Sequence, residues 1–185
     1  MYLIDTNVLS EIRKIQSSHT PPEFLAWFNA INLNDCYLSV ITLLEIEQGI
    51  LRVQHRGDEA QFLRLQHWLN DTVIPTFDQR ILPIDRHTAR ICARLHMPDQ
   101  RPYNNALIAA TAIRHDLTLV TRNVRDFAEL NVPLLNPFPG KGLRTCIHYL
   151  HRQPENELSV GHQCPSYVLQ RFQAAFPPPQ PRKPP

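Results

Sequence analysis

The opening residues constrain this chain more than any other stretch. Tyr2, Leu3 and Ile4 run straight into Asp5, followed by Thr6 and Asn7, both good helix N-caps, and by the helix-compatible segment Val8 to Arg13. This order predicts a short buried strand, a carboxylate at its C-terminal tip and a tight entry into a helix. In open α/β sheets the carboxyl ends of strands are where ligands sit. An acid delivered there is a candidate metal ligand or catalytic group. The alternative is that Asp5 only caps the next helix or ends the strand in a turn.

The same strand-to-helix pattern recurs along the chain. Pro21-Pro22 starts a second helix, with Phe24, Leu25, Trp27, Phe28 and Ile31 at helical spacing. Cys36 to Ile41 reads as a second strand, and a helix from about Thr42 carries Leu43, Leu44, Ile46 and Ile50, with Glu45 and Glu47 among them. Gly57-Asp58 breaks that helix, and another runs from Glu59 to about Leu69 with Phe62, Leu65, Trp68 and Leu69 inward. Ile81 to Ile84 is a third strand ended by Asp85, and a helix follows from Arg86 to about Leu95. His96 to Tyr103 is a loop by its prolines and polarity. Asn104-Asn105 opens the apolar helix Ala106 to Ile113, and Leu117 to Thr121 is the clearest parallel-type strand. Arg122 to Phe127 forms a polar turn and a short helix, and Val132 to Leu135 an edge strand. Alternation at this spacing predicts an α/β fold, a mostly parallel sheet covered on both faces.

Charge and proline content divide the chain. Residues 1–137 carry 13 Lys/Arg against 15 Asp/Glu, while the remaining residues carry 6 against 2. Nine of the 17 prolines fall in those last residues. The expectation is a single domain over 1–138 and a weakly ordered, basic, Pro-rich extension over 139–185, with isolated helices at Arg144 to His151 and Tyr167 to Phe176 and an extended Pro177 to Pro185. The four cysteines have no CxxC pairing, which matches neither a zinc site nor a disulfide framework. Cys36 and Cys92 lie in apolar runs as small core residues. No signal peptide precedes the first strand and no apolar run approaches membrane-spanning length, so a cytoplasmic location is expected.

Polar residues at strand ends and helix starts gather along one sheet edge: Asp5, Glu45, Asn105, Asn123 and Asp126. Oxygen-bearing side chains converging there make a hard-cation site suited to Mg2+ or Mn2+, able to bind phosphate oxygens and activate water for phosphodiester hydrolysis. Each residue also has a structural explanation. Thr42-x-x-Glu45 fits a capping box, Asn104 or Asn105 can N-cap its helix, Asn123 can sit in a turn, and Asp126 can cap the short helix. Arg122 and Arg125, beside the site, are candidates for contact with a phosphate backbone or members of a solvated turn.

YLIDTNVLSEIRK at 2–14, YLSVITLLEIEQGI at 37–50, RILPID at 80–85, NNALIAATAIRHDLTLVTRNVRDF at 104–127 and VPLLNPF at 132–138 occur in an order that resembles the PIN-domain ribonuclease family. Within it, the chain is similar to the VapC-type toxins of bacterial toxin–antitoxin modules, FitB-like branch. The resemblance implies a three-layer α/β/α sandwich, magnesium-dependent endoribonuclease activity and a tightly bound antitoxin. Asp5 and Glu45 match the family's first two acids. Asn105 stands where these toxins usually have the third, and Asn123 where many have a fourth, with Asp126 nearby. By that likeness Asp5, Asn105 and Asn123 are the metal positions and Asp5, Glu45 and Asn105 the catalytic set, joined by Asp126 as a nearby acid that partly substitutes for the fourth; Arg122 and Arg125, from their place beside the site, are the expected contacts to the RNA backbone.

Two functional readings follow. One is an active RNase toxin, a homodimer with an antitoxin and RNA as partners. The other is a degenerate PIN domain that binds antitoxin or RNA without efficient cleavage, because Asn105 lacks the charge an acid brings to a dication. A nucleotide-binding α/β domain is disfavoured by the lack of a glycine-rich loop after the first strand. The apolar stripes at Phe24, Trp27, Phe28 and at Phe62, Trp68 are either core or a dimer or antitoxin face.

Overall fold

The computed structural model describes residues 1–15 and 20–138. The proposed extension over 139–185, with its two helices and extended end, lies outside the described residues.

The described residues contain a parallel sheet built from β1 (Tyr2–Ile4), β2 (Cys36–Ser39), β3 (Ile81–Leu82), β4 (Thr118–Val120) and β5 (Leu134–Leu135), in the order β3-β2-β1-β4-β5. Every pairing is parallel, with Ile4 opposite Val120 and Leu3 opposite Tyr37. Side chains alternate across each strand, and the two cores follow that alternation. Ile4, Cys36, Leu38 and Val120 enter one core with Phe24, Phe28 and Trp68, while Leu3 and Leu119 enter another with Ile108, Ala109 and Ala112. The first is covered by α1 (Thr6–Ile12), α2 (Pro22–Ala30), α3 (Val40–His55) and α4 (Glu59–His67). The second is covered chiefly by α7 (Tyr103–Arg114), which packs in turn on α6 (Arg86–Leu95). This is the three-layer α/β/α sandwich expected.

The apolar stripes resolve as core. Phe24, Phe28, Phe62 and Trp68 are buried, and Trp27 packs half-buried against them. Cys36 and Cys92 are buried free thiols. Several boundaries differ from expectation. β2 ends at Ser39, whose hydroxyl accepts from the Ile41 amide at 3.2 Å, so α3 starts at Val40 and not near Thr42. The Thr42–Glu45 capping box therefore does not form. Thr42 is fully buried and its hydroxyl has no partner among the described residues. After α4 the chain widens into a π-helical turn (Trp68–Val73) before α5 (Ile74–Phe77). The widening immediately precedes Pro75, which lacks an amide hydrogen and whose ring crowds a preceding carbonyl. β3 stops at Leu82 because Pro83 cannot donate to the ladder. Gly57, at φ +80°, supplies the left-handed residue that ends α3.

Topology fixes where a site can form. From the central β1 the chain moves to β2 and β3 on one side, then returns to β4 and β5 on the other. The strand order reverses between β1 and β4, and the carboxyl ends of those two strands are where a sheet of this kind places its ligand site.

Candidate active site

Asp5 sits at that reversal. Its backbone amide donates to the Val120 carbonyl at 3.0 Å, which continues the β1–β4 ladder by one residue. It is also the N-cap of α1, the capping role weighed for it from the sequence, while Thr6 and Asn7, the other cap candidates, lie inside the helix. The carboxylate is 5 % exposed and is held by three donors. The Thr6 amide donates to Oδ1 at 2.7 Å, and Asn7 Nδ2 and Thr121 Oγ1 each donate to Oδ2 at 2.6 Å. Asn7 in turn accepts the Arg122 amide at 3.0 Å, and Thr121 Oγ1 accepts the Asn123 amide at 3.0 Å, so the start of α1 and the end of β4 are laced together around one acid.

The second carboxylate arrives from α3. Glu45 Oε2 accepts a short hydrogen bond from Thr6 Oγ1, and Oε1 accepts Asn104 Nδ2 at 2.9 Å. Thr6 thus bridges the two acids, its amide serving Asp5 and its hydroxyl Glu45. Burial pushes the Asp5 carboxyl above its ordinary value of 3.8, and the neighbouring Glu45 charge adds to the rise. The hydrogen bonds from Thr121, Thr6 and Asn7 oppose it. Neither carboxylate pairs with a Lys, Arg or His among the described residues. Two acids held side by side, one of them buried and neither neutralised by a cation, suit an oxygen-preferring dication.

The other predicted residues divide. Asn105 is half-buried in the first turn of α7 and makes no side-chain hydrogen bond among the described residues; Asn104 makes the contact to Glu45. Neither asparagine caps α7, because Pro102 is its N-cap. Asn123 is exposed and precedes the short helix α8 (Val124–Phe127), where its side chain makes no capping bond. Asp126 is exposed within α8, where it does not serve as a cap. Among the described residues no three His, Cys, Asp or Glu side chains gather as a metal cluster, so Asp126 does not join Asp5 and Glu45. Arg122 is held from two sides, paired with Glu11 at 3.2 Å and stacked over the Phe138 ring at 4.0 Å. Arg125 is exposed. Sequence reasoning missed Asn104 and Thr121 as site residues. Thr121 was findable, since it ends the clearest strand in the chain and so falls on the ligand edge.

Residues 2–132 match the model of a known family, described as the PIN domain. The chain belongs to the PIN domain family. Its PIN domain is similar to Toxin FitB of Neisseria gonorrhoeae, 33% identical over 75% of this chain and 99% of that protein. It is 30% identical to the VapC ribonuclease Y4jK of Sinorhizobium fredii, over 75% of this chain and 98% of the relative. Among solved structures, FitAcB from Neisseria gonorrhoeae superposes with a TM-score of 0.65 at 32% identity, covering 74% of this chain and 98% of that one. FitAB bound to an IR36 DNA fragment gives 0.63 at 29% identity, covering 76% and 98%. The PIN domain thus accounts for nearly the whole length of these relatives. Among the described residues no helix is long and apolar enough to cross a membrane.

Proposed function

We propose that this PIN domain is a metal-dependent endoribonuclease, the toxin of a toxin–antitoxin pair, acting in the cytoplasm and held in check by an antitoxin protein. The observation that carries the reading is the Asp5–Glu45 pair, with Asp5 buried at the strand-order reversal and neither acid neutralised by a cation among the described residues. The relatives named as a VapC ribonuclease and as Toxin FitB, and the likeness to the FitAB assembly, support the substrate class and the partner.

Asp5 and Glu45, with the carbonyl oxygen of Asn105, are the groups that would hold Mg2+ or Mn2+. When bound, such an ion offsets phosphate charge and acidifies water for attack on phosphorus. The chain's own residues set the geometry. Thr6, Asn7 and Thr121 fix the Asp5 carboxylate, and Thr6 with Asn104 fixes that of Glu45. Asn123 and Asp126, exposed at the rim, orient water or the strand, and Arg125 beside them contacts the RNA backbone. Arg122 contributes charge from its fixed position over Phe138.

A second reading has an observation of its own. Asn105 stands at the position of an acid and no third carboxylate joins the pair, which favours a PIN domain that binds antitoxin or RNA with little cleavage. Cleavage of RNA with and without magnesium, comparing the natural chain with Asn105→Asp, separates the two. The enzyme reading expects metal-dependent cleavage by the natural chain, increased by the substitution. Cleavage by Asn105→Asp alone would sink it in favour of the degenerate domain.

A further inference from the structure

The solvent face of α6 carries a charge pattern that the carboxylate site does not use. Arg86, Arg90 and Arg94 recur every four residues, all exposed, while Thr88 and Cys92 on the opposite face are buried. Successive arginines are therefore about 6 Å apart along the helix axis, close to one turn. No acid occurs between Arg86 and Pro98. A solvated helix face ordinarily interleaves both signs. Three arginines outside α6 are paired, Arg101 with Glu129, Arg114 with Asp85 and Arg122 with Glu11, whereas Arg52, Arg56, Arg64 and Arg125 make no ion pair among the described residues but do not line up on one short helix. Among the described residues none of the three on α6 makes an ion pair, and Arg86 donates only to the neighbouring His87 ring, at 3.3 Å. Residues 1–137 are net acidic, with 13 Lys/Arg against 15 Asp/Glu, so this stripe is a local concentration of positive charge and no reflection of a basic protein.

Its direction is set by packing. Asp85, just before α6, meets Arg114 at the end of α7 at 3.9 Å, so the two helices run antiparallel. At the other end Cys92 packs on Ala106 and Ala110, and the His96 ring lies against Tyr103, the first residue of α7, with centroids 4.5 Å apart. The C-terminal end of α6 therefore lies beside the start of α7, where Asn104 reaches Glu45. Arg86, Arg90 and Arg94 form a row that leads toward the carboxylates.

We propose that this row is a track for the phosphate backbone of single-stranded RNA, aligning substrate on its way to the Asp5–Glu45 pair. The ligand class rests on the nuclease reading. The chemistry rests on charge complementarity: guanidinium forks grip phosphate oxygens, and a one-turn repeat offers one fork to each of several neighbouring phosphates. Such contacts position a strand without reading its bases.

The test uses the full chain in EDTA, so that binding is read without cleavage, by anisotropy of a labelled mixed-sequence single-stranded RNA. Each neutralised phosphate contact on a single strand contributes about 0.7 to the slope of log affinity against log salt. Arg86→Gln, Arg90→Gln and Arg94→Gln together should lower that slope by about 2. Across an approximately fourfold rise in salt, the natural chain should then lose about 20-fold more affinity than the triple variant. Single variants, which leave the buried face of α6 untouched, should each lower the slope by about a third of that amount, and the arginine-to-lysine triple should retain it. An unchanged slope in the singles and the triple overturns the track, as does arginine-dependent binding of duplex DNA but not of RNA. A failed cleavage assay beside arginine-dependent RNA binding would fault the nuclease reading and leave the track standing.

Discussion

Thr6 donates to both halves of the carboxylate pair, through its amide to Asp5 and its hydroxyl to Glu45, and Thr6→Val isolates what the hydroxyl does. The substitution keeps the shape and the backbone amide that serves Asp5, and removes only the donor to Glu45 Oε2. A hydrogen bond to a charged acceptor contributes about 1.5–3 kcal/mol net when fully enclosed. Glu45 is half-buried, so water replaces the lost donor in part, and a loss of about 1–1.5 kcal/mol is expected. A cooperative unit of about 140 residues has an unfolding entropy near 0.3 kcal/mol/K, which converts that loss into a Tm drop of about 3–5 °C. Glu45 is then held by Asn104 alone, and a comparable loss of positioning lowers RNA cleavage by about tenfold. Thermal denaturation of the metal-free chain and a cleavage assay read the two effects, with Thr6→Ser restoring both. Thr6→Val as stable and as active as the natural chain would refute the bridging role. So would a Thr6→Ser variant impaired to the same degree.

Two further outcomes test the same physical picture. Thr42→Val should stabilise the chain by about 1–2 kcal/mol in urea titration, because it removes a fully buried hydroxyl that has no partner among the described residues while keeping its β-branched shape; a loss of stability would mean that the hydroxyl has a partner after all. The Asp5 carboxyl, raised above 3.8 by burial and by the Glu45 charge beside it, should titrate above that value in the metal-free chain when followed by carbon NMR, and a midpoint at or below 3.8 would contradict a buried Asp5 beside an unneutralised Glu45. Because the folded-state pKa is the higher one, the associated stability is fully present below the unfolded value and is lost as pH rises through the folded one.

The alternation of apolar runs with helix starts was readable because strand and helix periods differ so strongly, and it delivered the parallel sheet, the tip position of Asp5 and the presence of Glu45 on the following helix. What the sequence hid depends on shifts of one or two residues. Pro102, with its fixed φ, serves as the N-cap of α7, so the helix begins at Tyr103 and not at Asn104. Each helical step rotates a side chain by about 100°. The starting phase therefore bears on which of two adjacent asparagines reaches Glu45, and the string Asn104-Asn105 does not reveal it. The same holds at Ser39, which caps α3 earlier than Thr42 would and leaves Glu45 free to face Thr6. The acids were visible as chemistry; the neutral side chains that aim them were visible only as caps.

The site and the sheet register are one structural fact. Ile4 pairs with Val120, so Asp5 and Thr121 follow as the next pair of positions and project on the same side, where the threonine hydroxyl meets the carboxylate at 2.6 Å. A slip of one residue between β1 and β4 would turn Thr121 to the other face, together with every apolar side chain of the strand. Such a slip would also carry Leu119 and Val120 out of their separate cores, since they face opposite layers of the sandwich. The register that places Thr121 over Asp5 is thus enforced by burial on both sides of the sheet. The cost of an unneutralised acid falls on a contact the cores already hold in place, which is how a carboxylate disfavoured by its surroundings persists at the centre of this fold.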